Sequence, residues 1–96
     1  MKTKKDIEKI LKQYKPILQE KYKVKEIGIF GSYVRGEETK RSDIDILVKF
    51  SSPIGWEFID LKEFLERILG RQVDLVTVQA LKPQLKDSIL REVVYT

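Results

Sequence analysis

The stretch that decides the fold runs from Val24 to Phe50, VKEIGIFGSYVRGEETKRSDIDILVKF. Val24 to Phe30 is rich in β-branched and aromatic residues and stops abruptly at Gly31 and Ser32, which reads as a strand closed by a turn or a short helix. Asp43 to Phe50 alternates, with Ile44, Ile46, Val48 and Phe50 on one side and Asp43, Asp45, Leu47 and Lys49 on the other, so a second strand with one apolar face is expected. Between them, Gly36 to Ser42 is loop chemistry without an apolar period. The connection holds too little chain for a crossover helix, which predicts that the two strands are antiparallel neighbours. Antiparallel pairing brings Gly31 and Ser32 at the end of one strand beside Asp43 and Asp45 at the start of the next.

Upstream, Ile7, Ile10, Leu11, Tyr14, Ile17 and Leu18 recur at helical spacing among Lys, Glu and Gln, and Pro16 either kinks this helix or opens a second one. Downstream, Trp56, Ile59, Leu61, Phe64, Leu65, Ile68 and Leu69 outline a helix ended by Gly70, and Val73 to Val78 makes a third strand. Leu81 to Arg91 predicts a last helix with Pro83 in its first turn, and Val93 to Tyr95 extends it or adds an edge strand. A full helix between the second and third strands allows a parallel crossover. The expectation is an α+β fold, a small mixed sheet of three or four strands with helices packed on it, as one domain over residues 1–96.

The composition excludes several chemistries. With no Cys and no His there is no disulfide, no thiolate nucleophile, no zinc site of the usual ligands and no imidazole base. A metal would be a hard cation held by oxygen, such as Mg2+, Mn2+ or Ca2+. A net charge of +4 favours an anionic partner, although Lys on solvated helix faces is the commoner cause, and direct binding of nucleic acid is not the expectation. No apolar run of signal-peptide or membrane-span length is present, which points to a cytoplasmic protein away from membranes. Absence of Asn, a single Met and 35% charged residues resemble the balance of heat-adapted proteins.

Asp43 and Asp45 leave the same face of a strand, where two carboxylates repel unless a cation or proton intervenes. Asp74 interrupts the apolar run Val73, Leu75, Val76. If its strand runs parallel to the second, Asp74 joins the other two acids at one edge; otherwise it is an acid paired with Lys or Arg. Three carboxylates match two divalent cations, the arrangement known for in-line displacement at phosphorus. Gly31 and Ser32 offer close backbone approach and a hydroxyl to a phosphate, or simply cap a helix. Arg35 either neutralises phosphate oxygens or pairs with Asp43, Asp45 or a carbonyl.

Gly31-Ser32, ten intervening residues and Asp43-Ile44-Asp45, with Arg35-Gly36 inside the gap, resemble the signature of the DNA polymerase beta-like nucleotidyltransferase superfamily, and most of all its minimal nucleotidyltransferase (MNT) branch. The resemblance runs from the strand Val24 to Phe30 through Val73-Asp74-Leu75-Val76. It implies two Mg2+ ions, with Mn2+ as a substitute, and transfer of a nucleoside monophosphate from a triphosphate such as ATP to a hydroxyl. By motif position, Asp43 and Asp45 would hold the metals, Asp74 would complete the site, Gly31 and Ser32 would cradle phosphates, and Arg35 would assist. Small MNT proteins of this kind resemble the antitoxin half of HEPN/MNT toxin–antitoxin systems, in which AMP is added to a tyrosine of a HEPN ribonuclease toxin. A single core leaves little room for an acceptor pocket, so another molecule is expected to bring the acceptor, with an exposed Trp56 as an anchor. Competing expectations are a non-catalytic module that neutralises a HEPN partner by contact, and a nucleotidyltransferase acting on RNA or a small-molecule hydroxyl. Self-association is left open.

Overall fold

The computed structural model describes residues 2–96. Helix α1 (Lys4–Gln13) starts on a reciprocal cap in which the Thr3 hydroxyl accepts the Asp6 amide at 3.3 Å and the Asp6 carboxylate accepts the Thr3 amide at 2.9 Å. Helix α2 (Lys15–Glu20) carries Pro16 in its first turn, so the proline opens a second helix, where its missing N–H costs nothing. Strands β1 (Val24–Phe30) and β2 (Ile44–Phe50) flank the four-residue helix α3 (Ser32–Arg35), and α4 (Glu57–Leu69) ends on Gly70 in the left-handed region. Strand β3 (Val73–Thr77) passes into a 3-10 turn over Val78–Ala80, one residue earlier than the apolar run suggests. Helix α5 (Pro83–Glu92) follows, and then β4 (Val94–Tyr95), so the last residues form an edge strand and do not prolong the helix.

The sheet is mixed, in the order β3-β2-β1-β4. β1 pairs antiparallel with β2 and with β4, and β2 pairs parallel with β3 across the α4 connection. The register places Ile27, Ile29, Ile44, Ile46, Val48, Val73 and Leu75 on one face, all buried, where Ile7 and Leu11 of α1, Leu18 of α2 and Leu61, Leu65 and Leu69 of α4 join them in one core. Each such side chain contributes about 1.5–3 kcal/mol on leaving water, which is what holds three helices against a sheet this narrow.

The opposite face is not wholly solvent-facing. Leu47, on the side of Asp45 and Lys49, is only 1% exposed, against the expectation of one apolar face for β2. Alternation records which side a residue points to but not what covers that side. Gly28, beside Leu47 in the register, is also buried, because Val93 after α5 lies where a Cβ at Gly28 would sit. The C-terminal segment therefore covers this face at Gly28 of β1.

Candidate active site

At one edge of the sheet the register aligns Phe30 with Asp45 and Asp45 with Asp74 across three strands, on the face away from the helical core. Residues paired in a sheet leave it on the same side, so the parallel β2–β3 pairing brings Asp74 beside Asp45. The start of β3 is set by Glu66 of α4, whose carboxylate accepts the Val73 amide at 3.0 Å. Asp43 precedes β2 and is exposed, Asp45 is half-buried and Asp74 is exposed.

Burial pushes the Asp45 carboxyl up, and the negative charges of Asp74 and Asp43 and a hydrogen bond shared with Asp74 push it further, to about 6 against an ordinary 3.8; Arg35 opposes this weakly. None of the three acids forms an ion pair among the described residues. The alternative in which Asp74 is the partner of a Lys or Arg is therefore not realised. Nor do three acidic side chains among the described residues already enclose a point where one ion would sit: Asp45 and Asp74 are the close pair, and Asp43 acts on Asp45 through space. The donor set is all carboxylate, uncompensated and self-repelling, which fits hard divalent cations and no softer metal.

The chain reaches this edge through Gly31, whose φ of 80° and ψ of −150° belong to glycine almost alone. A Cβ there would also overlap the Asp45 carboxylate. Sequence therefore couples the glycine to the acid. The Gly31 carbonyl accepts the amides of Val34 and Arg35, both at 3.1 Å, closing α3 into a tight turn that ends at Gly36 in the left-handed region.

Arg35 is oriented by acids, though not by the pair anticipated: its guanidinium bonds Glu37 and, at 2.8 Å, Glu92, which hold it firmly protonated. Pairing with Asp43 or Asp45 does not occur. The loop leading to Asp43 is fixed by side-chain bonds that the composition of residues 36–42 conceals. The Thr39 amide donates to the Ser42 hydroxyl at 2.8 Å, and Arg71 donates to the carbonyls of Lys40 and Ser42 at 2.6 and 2.7 Å. Arg71, Glu66 and Glu92 were not singled out by the sequence, since each acts on backbone groups outside its own element, 29 to 61 positions away for Arg71 and Glu92 and seven for Glu66. Lys40, Arg41 and Arg71 line a shallow basin next to Asp43, so positive charge adjoins the acids.

Paired acids beside a glycine turn, at the edge of a mixed sheet with helices behind it, form the candidate site of this chain. Residues 11–96 match the family model described as nucleotidyltransferase domain, and the chain belongs to that family. It is a nucleotidyltransferase. The protein adenylyltransferase MntA of Thermococcus cleftensis is 51% identical, over 99% of this chain and 97% of that protein. A solved structure described provisionally as a minimal nucleotidyltransferase superposes with a TM-score of 0.74 at 32% identity, covering 92% of this chain and 93% of the other. A structure of a tri-AMPylated Shewanella oneidensis HEPN toxin in complex with MNT antitoxin is similar at a TM-score of 0.58 and 25% identity, over 96% of this chain and 66% of the matched chain.

Proposed function

We propose that this protein is a Mg2+-dependent adenylyltransferase that moves AMP from ATP to a tyrosine hydroxyl of a HEPN ribonuclease toxin, and thereby acts as the antitoxin. The observation that carries the proposal is the in-register pair Asp45 and Asp74, left without a cationic side chain beside the Gly31 turn. Relatives named for protein adenylylation and for MNT–HEPN complexes support the choice of nucleotide and partner.

Asp43 and Asp45 would hold the two divalent cations, with Asp74 completing the set from the neighbouring strand. When bound, these ions supply charge neutralisation of the triphosphate and Lewis-acid activation of the attacking and leaving oxygens. Gly31 contributes the shape of the turn, Ser32 a hydroxyl and Arg35 a fixed positive charge to the β- and γ-phosphates. The acceptor oxygen bonds the α-phosphorus as the bond to the bridging oxygen breaks and pyrophosphate leaves. Asp74, the more exposed member of the close pair, would take the hydroxyl proton. With ATP as substrate and a ribonuclease toxin as acceptor, the reading is of a cytoplasmic protein. Trp56, 79% exposed at the start of α4, is available to such a partner.

Incubation with Mg2+, α-labelled ATP and a HEPN partner tests the reading. Label on a partner tyrosine, lost in Asp43→Asn, supports it. An unlabelled partner in a stable stoichiometric complex would favour neutralisation by contact, and label on RNA a different acceptor class.

A further inference from the structure

Glu92 is the last residue of α5, 61 positions after Gly31, yet its two carboxylate oxygens are divided between the glycine turn and the arginine behind it. Oε2 accepts the Gly31 amide at 2.8 Å, and Oε1 accepts Arg35 Nη1 at 2.8 Å. The side chain is 20% exposed, against 51% for Arg35, so the acid is the sheltered member of the pair. Its placement follows from the strand beyond it. Val94 pairs with Ile29, Tyr95 with Gly28, and the Thr96 amide donates to the Ile27 carbonyl at 3.0 Å. Gly28 lacks the Cβ that would collide with Val93. The chain after Glu92 is thus zipped to β1 immediately before Gly31, and no side chain of α5 is buried to anchor the helix in another way.

Burial raises the Glu92 carboxyl, but the Gly31 amide and the Arg35 guanidinium together outweigh it and keep the group below the ordinary carboxylate range. It is an anion at neutral pH, and both bonds are charge-assisted. An exposed ion pair alone would be worth about 0–1 kcal/mol and would matter little. Here the same carboxylate grips the backbone of a residue held in a glycine-only conformation, so its loss frees the peptide that aims α3 and a long arginine stem at once.

We infer that Glu92 is a positioning residue of the nucleotide site: it sets the Gly31 turn and holds Arg35 where the terminal phosphates would lie. This rests on the function proposed above. Glu92→Gln keeps the shape and removes the charge, and Glu92→Asp keeps the charge and shortens the reach. With wild type active, Glu92→Gln should raise the KM for Mg-ATP about tenfold with kcat nearly unchanged, the scale of one charge-assisted hydrogen bond, and Glu92→Asp should recover part of it. Without any turnover, the Gly31 amide proton resonance should move upfield in Glu92→Gln, and calorimetric affinity for a non-hydrolysable ATP analogue should weaken in parallel. An unchanged KM and affinity in both variants would overturn the inference and leave a structural tie. A fall in KM would overturn it too, by showing that the carboxylate competes with phosphate for the turn. Should wild type transfer no AMP, the proposed activity fails separately, and Glu92 is judged on nucleotide affinity; no affinity in wild type would overturn both.

Discussion

The acid at the centre of the site should destabilise the protein that carries it. Asp45 titrates at about 6 in the folded chain against 3.8 ordinarily, so the native state holds its proton to higher pH than the unfolded chain does. Stability from this group is therefore intact below about pH 4, declines as pH rises through 6, and is fully lost above it. At about 1.36 kcal/mol per pH unit the shift corresponds to roughly 3 kcal/mol, which solvent screening of a half-exposed carboxyl reduces to the order of 1–2 kcal/mol. Asp45→Asn removes the penalty. In metal-free buffer at pH 8 the variant should unfold higher by roughly 5–15 °C, given about 4–8 °C per kcal/mol for a chain of this size, and at pH 4 the two proteins should coincide. Added Mg2+ should raise the melting point of wild type more than that of the variant. Calorimetric or fluorescence-detected melts across that pH range decide the matter. A variant no more stable at pH 8, or equally stabilised at both pH values, would refute an uncompensated acid cluster.

Three further outcomes follow from single residues. Gly31→Ala should cost about 1–3 kcal/mol for the backbone alone, as measured by urea unfolding, and should displace the Asp45 carboxylate, so labelled AMP transfer falls to background even where the variant folds. The Tyr33 hydroxyl is buried without a hydrogen-bond partner among the described residues, so Tyr33→Phe should be neutral or stabilising by about 1 kcal/mol in the same unfolding assay. Arg71→Ala frees the carbonyls of Lys40 and Ser42; transfer should drop several-fold with a loss of about 1–2 kcal/mol in stability, and amide exchange over residues 39–43 should quicken.

The sheet was legible because its decisive signals are local. Val24 to Phe30 and the alternation from Ile44 to Phe50 are strands on their own pattern, and the short loop between them leaves antiparallel pairing as the simple solution. Pro16 narrowed the first helix to two outcomes, and the structure took the one in which the proline loses no hydrogen bond. Val93 to Tyr95 stayed ambiguous in sequence because a two-residue edge strand exists only through its partner: Tyr95 and Val94 are fixed by Gly28 and Ile29. Leu47 was misjudged for a related reason, since alternation tells which face a residue takes and not what covers that face. At the site, Asp43 just before β2, Asp45 on it, Asp74 on β3 and the glycine turn were visible as residue types that a strand would not otherwise use. Glu92, Glu66 and Arg71 were not, because charged residues on or beside helices look like solvated surface until the backbone amide or carbonyl they serve is brought to them.

A crystal grown with Mn2+ and a non-hydrolysable ATP analogue would examine the carboxylate edge most directly, through anomalous scattering. Two peaks about 3.5–4 Å apart are expected, held by Asp43, Asp45 and Asp74, with the terminal phosphates against Ser32 and Arg35. Nucleotide density without a manganese peak at these three carboxylates, or with Asp74 turned out of the site, would contradict metal-dependent transfer by this edge of the sheet.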